Sequence, residues 1–291
     1  MATRVPIKNR IKELKQQYDN LKTGKESLLK IIDEAEIPEM VYNSNAIENS
    51  TLTLKETERI LLEMEVSKDI SLREVFEAKN LARVIEYIRD KSQEAEISKE
   101  VILLLHQMLI GNINDGHAGR FRNSNEYVRI GVYIAPAPET IEKVITEIIS
   151  EYTSEHDEYF VDKIAKFHLD FENIHPFVDG NGRIGRVIIN FQLQRLGFTN
   201  IIIRNIEKQS YYDAFKEYRD TKKTELMEKT ISLLLIESLN KRLAYLNSKK
   251  IINLVDYAKL QGKPAPVILN AAKRQTIPAF REKGVWKIAQ A

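Results

Sequence analysis

Apolar residues recur along most of this chain at intervals of three and four, the period of one helical face. The pattern covers residues 11–21 and continues through Leu28, Leu29, Ile31, Ile32 and Ala35. It returns at 54–64, 72–88, 99–109, 141–152 and 162–174. Pro138, just ahead of Glu139 and Thr140, suits the start of one such helix. Residues 184–196 are apolar enough to predict a buried helix, with Gly197 as its stop. Residues 211–220 and 224–246 predict two more. One segment breaks the rule: in 123–135, Tyr127, Val128, Ile130, Val132, Tyr133 and Ile134 cluster around Gly131, which predicts a short hairpin. The expected fold is mainly α, a helical bundle with a small β-hairpin. No internal repeat or low-complexity tract interrupts it. The expected division is a helical region over 1–100, a core over 101–247, and a small unit over 251–291 beyond a boundary at 247–253.

Composition narrows the class. The 291 residues suit one large or two modest domains, and 43% hydrophobic residues allow a sizeable core. Cysteine is absent, which excludes disulfides and thiolate metal sites and fits a reducing compartment. Residues 1–10 are charged and lack an apolar stretch of signal-peptide type, and runs such as 231–236 are too short to span a bilayer. A cytoplasmic protein without membrane contact is the expectation. The net charge is only +2, yet seven basic and two acidic residues follow position 250. That tail carries +5 and the rest −3, so basic charge is concentrated at the C-terminus.

The densest chemistry lies in His175-Pro176-Phe177-Val178-Asp179-Gly180-Asn181-Gly182-Arg183-Ile184-Gly185-Arg186. A glycine-rich turn that opens a helix directs backbone N–H groups at an anion. Gly180 and Gly182 let the backbone approach phosphate oxygens, and Asn181 tolerates left-handed conformations and offers an amide. Arg183 and Arg186 share a helical face, with planar forks that suit phosphate. Asp179 is a hard oxygen ligand of the kind Mg2+ takes. His175 is the natural proton acceptor near neutral pH. His106, His117, His156 and His168 stay unassigned, although His168 falls on the helix before the loop. No histidine pair has a zinc spacing with a carboxylate, so no zinc site is expected.

This segment resembles the signature of the Fic family, HxFx(D/E)GNGRxxR, at every fixed position. The resemblance implies a protein adenylyltransferase that moves AMP from ATP to a Ser, Thr or Tyr hydroxyl of a target protein. It implies His175 as general base and Asp179 as ligand of Mg2+ or Mn2+. Gly180, Asn181, Gly182 and Arg183 are implied as the anion hole, with Arg186 on the γ-phosphate. Phe177 is expected to anchor the loop in the core. Residues 129–134 match the flap that aligns a target segment by strand addition, with Ile130, Gly131, Val132 and Tyr133 nearest nucleotide and target. Tyr211 and Tyr212 resemble a tyrosine pair of the nucleobase pocket, where aromatic faces stack on bases. Phe215 is read equally as a core aromatic. Arg219 stands where related enzymes often carry asparagine, which puts strict adenine selection in doubt. Family members often dimerise, which makes self-association an expectation.

A second pattern, Ser44-Asn45-Ala46-Ile47-Glu48-Asn49, resembles the Fic inhibitory motif (S/T)xxxE(G/N). Ser44 and Glu48 lie on one face of a helix expected over about 40–50. The implied brake is Glu48 paired with Arg186, so that ATP binds unproductively. Dual-activity relatives further imply removal of AMP by a water that such a glutamate orients.

Residues 254–262 and 264–274 predict two short helices, and 277–288 a two-stranded wing. Together they resemble the winged helix-turn-helix of excisionase and MerR-type proteins. Lys273, Arg274, Arg281, Lys283 and Lys287 are the candidate DNA phosphate contacts. The other reading of 251–291 is a small packing module. Two rival functions also stay open for the whole chain: a nucleotide-responsive DNA-binding regulator, and transfer of another phosphate-containing group on the same fold. His175 and Asp179 favour an enzyme over a sensor, and the two glycines favour AMP.

Overall fold

The computed structural model describes residues 3–131, 133–154 and 157–290, so Val132 and His156 lie outside the described residues. Contacts group the chain into two compact units. The first holds 38–198 and 202–228; the second holds 3–37, 199–201 and 229–291. Among the described residues no helix is long and apolar enough to cross a membrane.

Helices run in the order α1 (Val5–Lys22), α2 (Glu26–Ile47), α3 (Leu54–Glu58), α4 (Leu72–Lys91), α5 (Lys99–Ile110), α6 (Ile141–Ser154), α7 (Phe160–Ile174), α8 (Asn181–Arg195), α9 (Lys208–Thr221) and α10 (Glu225–Leu246). Their starts follow local chemistry. The Ser71 and Ser98 hydroxyls accept from the N–H groups of Glu74 and Val101, and Thr53 forms a capping box with Glu56. The expected stop at Gly197 is present, with φ +72°.

In the first unit α8 is the central helix. It packs on α4, α5 and α7. Ile184, Val187, Ile188, Ile189, Phe191 and Leu193 are all buried. A helix apolar on nearly every face has no stable place at a surface. α7 is amphipathic and turns Val161, Ile164, Ala165, Leu169 and Phe171 inward. Between α5 and α6, β1 (Arg129–Ile130) and β2 (Tyr133–Ile134) form the expected antiparallel hairpin, with Ile130 opposite Tyr133. Gly131 turns it with φ +60°, where a side chain would be strained.

α2 departs from the sequence pattern, which fades near Ala35. The helix continues to Ile47 with Pro38 inside. Proline lacks the N–H for Glu34 and weakens that turn. Residues 36–41 are buried, and packing overrides the local cost. The end of α2 is specific. Asn49 N–H donates to Ala46 C=O and Ser50 N–H to Asn45 C=O, both at 3.0 Å, with Asn49 at φ +70°. This is a Schellman stop, and its left-handed position explains a residue that is glycine or asparagine.

In the second unit, Arg242 at the end of α10 is buried against Glu36 and Asp33. The C-terminal part contains β3 (Ile251–Asn253), α11 (Leu254–Leu260), α12 (Ala265–Lys273), β4 (Ala279–Glu282) and β5 (Val285–Ala289), with strand order β3-β5-β4. Leu254, Ala258, Ile268, Ala272, Ala279 and Ile288 form its core. Lys283 and Gly284 both have positive φ, the geometry of a two-residue type I′ turn. The sequence pattern had not indicated β3. One expected DNA contact is lost: Arg281 is 7% exposed and its guanidinium pairs with Glu237, Nη2 to Oε2 at 2.7 Å. Lys287 pairs with Glu282 at 2.6 Å.

Candidate active site

The turn between α7 and α8 is built from backbone constraints. His175 ends α7 in the left-handed region, φ +50°, with its N–H on Phe171 C=O. Phe177 is fully buried and stacks on the His106 ring at 3.6 Å. Asn181 clamps the loop, as its Oδ1 accepts from Phe177 N–H at 2.9 Å and its Nδ2 donates to Phe177 C=O at 2.8 Å. Its amide therefore faces the loop backbone. Gly119 N–H donates to His106 Nδ1 at 3.1 Å, so that nitrogen is the acceptor and Nε2–H donates to Asp179 C=O at 3.0 Å. Arg122 ties the loop to the base of the hairpin: Nε donates to His175 C=O at 2.8 Å, Nη1 to Glu126 C=O at 2.8 Å and Nη2 to Pro136 C=O at 2.9 Å. Gly180 combines φ +84° with a site where a Cβ would sit 3.1 Å from Ile110 and Leu109. Among the described residues no side chain caps the start of α8. Its first N–H groups and dipole therefore suit an anion.

Beside the turn lies a cavity of about 400 Å3. His175, Gly182, Arg186, Glu48, Tyr211, Tyr212, Ile130 and Gly131 all line it, which brings together half of the site residues singled out in sequence. Arg186 is held by the end of α2: Nε donates to Ser44 Oγ at 2.9 Å, and Nη2 to Ser44 C=O at 2.8 Å and Glu48 Oε1 at 2.9 Å. A Cβ on Gly182 would lie 2.2 Å from Glu48 Oε1, so the carboxylate rests on the backbone of α8. Asn49 accepts from Lys208 at 2.8 Å. Tyr211 packs edge-on against Phe215, and Tyr212 O–H donates to Ile47 C=O at 3.2 Å. Arg219 lies at the same wall. Asp179, Gly180, Asn181 and Arg183 form the loop side without lining this cavity, and Tyr133 of β2 is not among its lining residues either. Sequence reasoning missed Glu172, Asn173 and Tyr218 in the lining, and His106 and Arg122 behind it.

Comparison with known proteins agrees with this geometry. Residues 96–193 match the Fic/DOC family. This stretch is a Fic domain. Its relatives include the protein adenylyltransferase Fic of Nematostella vectensis, 29% identical over 209 residues, 70% of this chain and 48% of that protein. The Drosophila virilis protein of the same name is 33% identical over 180 residues, 60% of this chain and 36% of that one. The chain thus spans half or less of these relatives' length. A Fic domain containing signaling protein from Bacteroides thetaiotaomicron VPI-5482 superposes with TM-score 0.75 at 25% identity, over 83% of this chain and 98% of that one.

Electrostatics in the Fic domain follow burial and pairing. Burial lowers the His175 imidazole below its ordinary value, which keeps it neutral. His106 is pushed down to about 4 and His168 to about 3, again by burial. Burial pushes the Glu172 carboxyl up to about 8, helped by the Glu48 charge. Burial opposes ionisation of Asp179, yet Arg183, the Gly180 N–H and Arg73 hold it below the usual carboxylate range. Asp179 Oδ1 accepts from Arg183 at 3.0 Å and Oδ2 from Arg73 at 2.7 Å. Among the described residues no three His, Asp or Glu side chains form a metal cluster. A lone, ionised, 42% exposed carboxylate fits a Mg2+ that takes its other ligands from phosphates and water, because Arg73 is an exposed partner that can exchange.

Proposed function

We propose that this chain transfers AMP from ATP to a hydroxyl of a target protein and is restrained by Glu48. One observation carries the reading: Arg186 and His175 share a cavity, and the carboxylate of Glu48 sits on the arginine. The names of the relatives support the same chemistry. His175 Nδ1 lies 3.3 Å from Glu172 C=O, which leaves Nε2 for the substrate. Nε2 takes the proton of a Ser, Thr or Tyr hydroxyl as its oxygen attacks the α-phosphorus, and pyrophosphate leaves. Arg183 and the first N–H groups of α8 receive phosphate charge, and Arg186 receives the γ-phosphate. Asp179 would hold Mg2+ or Mn2+, which would supply further neutralisation of phosphate charge. Tyr211 and Tyr212 flank the base, and Ile130, Gly131, Val132 and Tyr133 present the acceptor by strand pairing. With Glu48 on Arg186 the triphosphate loses its anchor.

The test is mass spectrometry of the protein after incubation with ATP and Mg2+. The expected result is an AMP-sized adduct that grows in Glu48→Gly and vanishes in His175→Ala. A phosphate-sized adduct, or none in any variant, overturns the reading. Hydrolytic release of AMP through a water on Glu48 belongs to the same proposal, and a modified protein that never releases AMP refutes it. DNA at 251–291 and a second copy of the chain are the further proposed partners. A mobility-shift assay and sedimentation velocity test them, and absence of a shifted band or of a dimer refutes each.

A further inference from the structure

The side chain of Glu172 has no role in the chemistry above, yet it occupies an unusual place. It lies on the last turn of α7, three residues before His175, and lines the cavity. Among the described residues its Oε1 is buried without a hydrogen-bond partner. Its Oε2 is 3.9 Å from His175 Nδ1. A Cβ on Gly185 would lie 2.3 Å from Oε1, as one on Gly182 would lie 2.2 Å from Glu48 Oε1. Two glycines one turn apart on α8 therefore seat two carboxylates beside a single arginine, Arg186. Glu48 makes the hydrogen bond with that arginine. Glu172 does not.

One guanidinium neutralises one anion. Two carboxylates in a poorly solvated site cannot both ionise at low cost, so the one without partners holds a proton. The groups around it agree. Glu48 of α2 is negative, Arg186 of α8 is positive and already engaged, His168 and His175 of α7 are neutral, and Tyr211 and Tyr212 of α9 are un-ionised phenols. An anion that replaces Glu48 on Arg186 meets the same neighbour. This neighbour matters because the cavity is the nucleotide site proposed above. We propose that Glu172 is a specificity-determining residue that accompanies an anion on Arg186 only as a neutral acid, so that a nucleoside triphosphate binds together with one proton. In the resting protein that proton is already on the Glu172 carboxyl, and at higher pH it is taken from solvent; there the O–H is a donor toward the ligand. The same group repels the ligand once it is ionised.

The experiment measures binding rather than transfer. The probe is the α,β-methylene analogue of ATP with Mg2+, titrated calorimetrically into Glu48→Gly and into Glu48→Gly/Glu172→Gln between pH 6 and 9. Affinity of the first protein is expected to fall about tenfold across this range, following proton linkage. The double variant keeps a donor that cannot ionise, and its affinity is expected to change less than twofold. Equal falls in both, or flat profiles in both, overturn the inference while leaving the nucleotide site intact. Absence of binding by either protein at any pH overturns the nucleotide reading and this inference with it. Should the double variant not fold, carboxyl 13C NMR of the wild-type chain decides. Titration of Glu172 in the ordinary carboxylate range refutes the proposal, and titration near 8 supports it.

Discussion

Replacing Glu48 by glycine is the most direct perturbation of the cavity. Glu48 Oε1 accepts from Arg186 Nη2 at 2.9 Å, and the Arg186 side chain is buried while that of Glu48 is 36% exposed. A hydrogen bond between charged groups in such a setting contributes about 1.5–3 kcal/mol. Arg186 keeps its two bonds to Ser44 in the variant, so the end of α2 stays docked and only the carboxylate is lost. A triphosphate that needs Arg186 must displace Glu48. Its apparent dissociation constant in the wild type is therefore raised by the strength of that contact, about 10- to 150-fold. Isothermal titration of the α,β-methylene ATP analogue with Mg2+ into both proteins at one pH measures the ratio. Glu48→Gln, which keeps the size but not the charge, is expected between the two. A ratio below threefold, with Glu48→Gly still folded, refutes the claim that Glu48 and the ligand compete for one arginine.

The remaining predictions concern stability and the C-terminal unit. Asn181→Ala leaves the buried N–H and C=O of Phe177 unmatched and is expected to cost about 2–4 kcal/mol in urea unfolding; a loss below 1 kcal/mol contradicts the clamp. His106 and His168 are held neutral in the fold, near 4 and 3, whereas an unfolded histidine takes its proton near 6.5. The unfolded chain therefore binds more protons as pH drops from 6.5 toward 4, and thermal stability should fall in that window; a flat melting temperature refutes burial of these rings. Arg281→Ala breaks a buried ion pair with Glu237 and is expected to destabilise by about 3–5 kcal/mol. Lys273→Ala/Arg274→Ala, on an exposed stretch, should leave stability unchanged and weaken any DNA affinity; the reverse pattern sinks the assignment.

What the sequence conveys depends on whether the chemistry is contiguous. Residues 175–186 carry the turn, the carboxylate and both arginines within one segment, so the reading and the geometry meet there. The helices are legible for a similar reason: their apolar spacing is a local record of which face is buried. The end of α2 also has a local signature, since a left-handed stop demands asparagine or glycine at position 49. Other features depend on distant partners. His106 supports Asp179 from 73 residues away, and nothing in the sequence around it distinguishes it from a core histidine. Arg281 looks like a phosphate contact in a basic tail because composition records its charge but not Glu237, 44 residues upstream, which occupies it. Glu172 did leave a trace. It is an acid three residues before His175, on the same face of an amphipathic helix, with Gly185 ten residues beyond that histidine. An acid buried at the loop end of such a helix, away from its charged outer face, must be matched or neutral. Only the position of Arg186, already paired with Glu48, decides in favour of neutral.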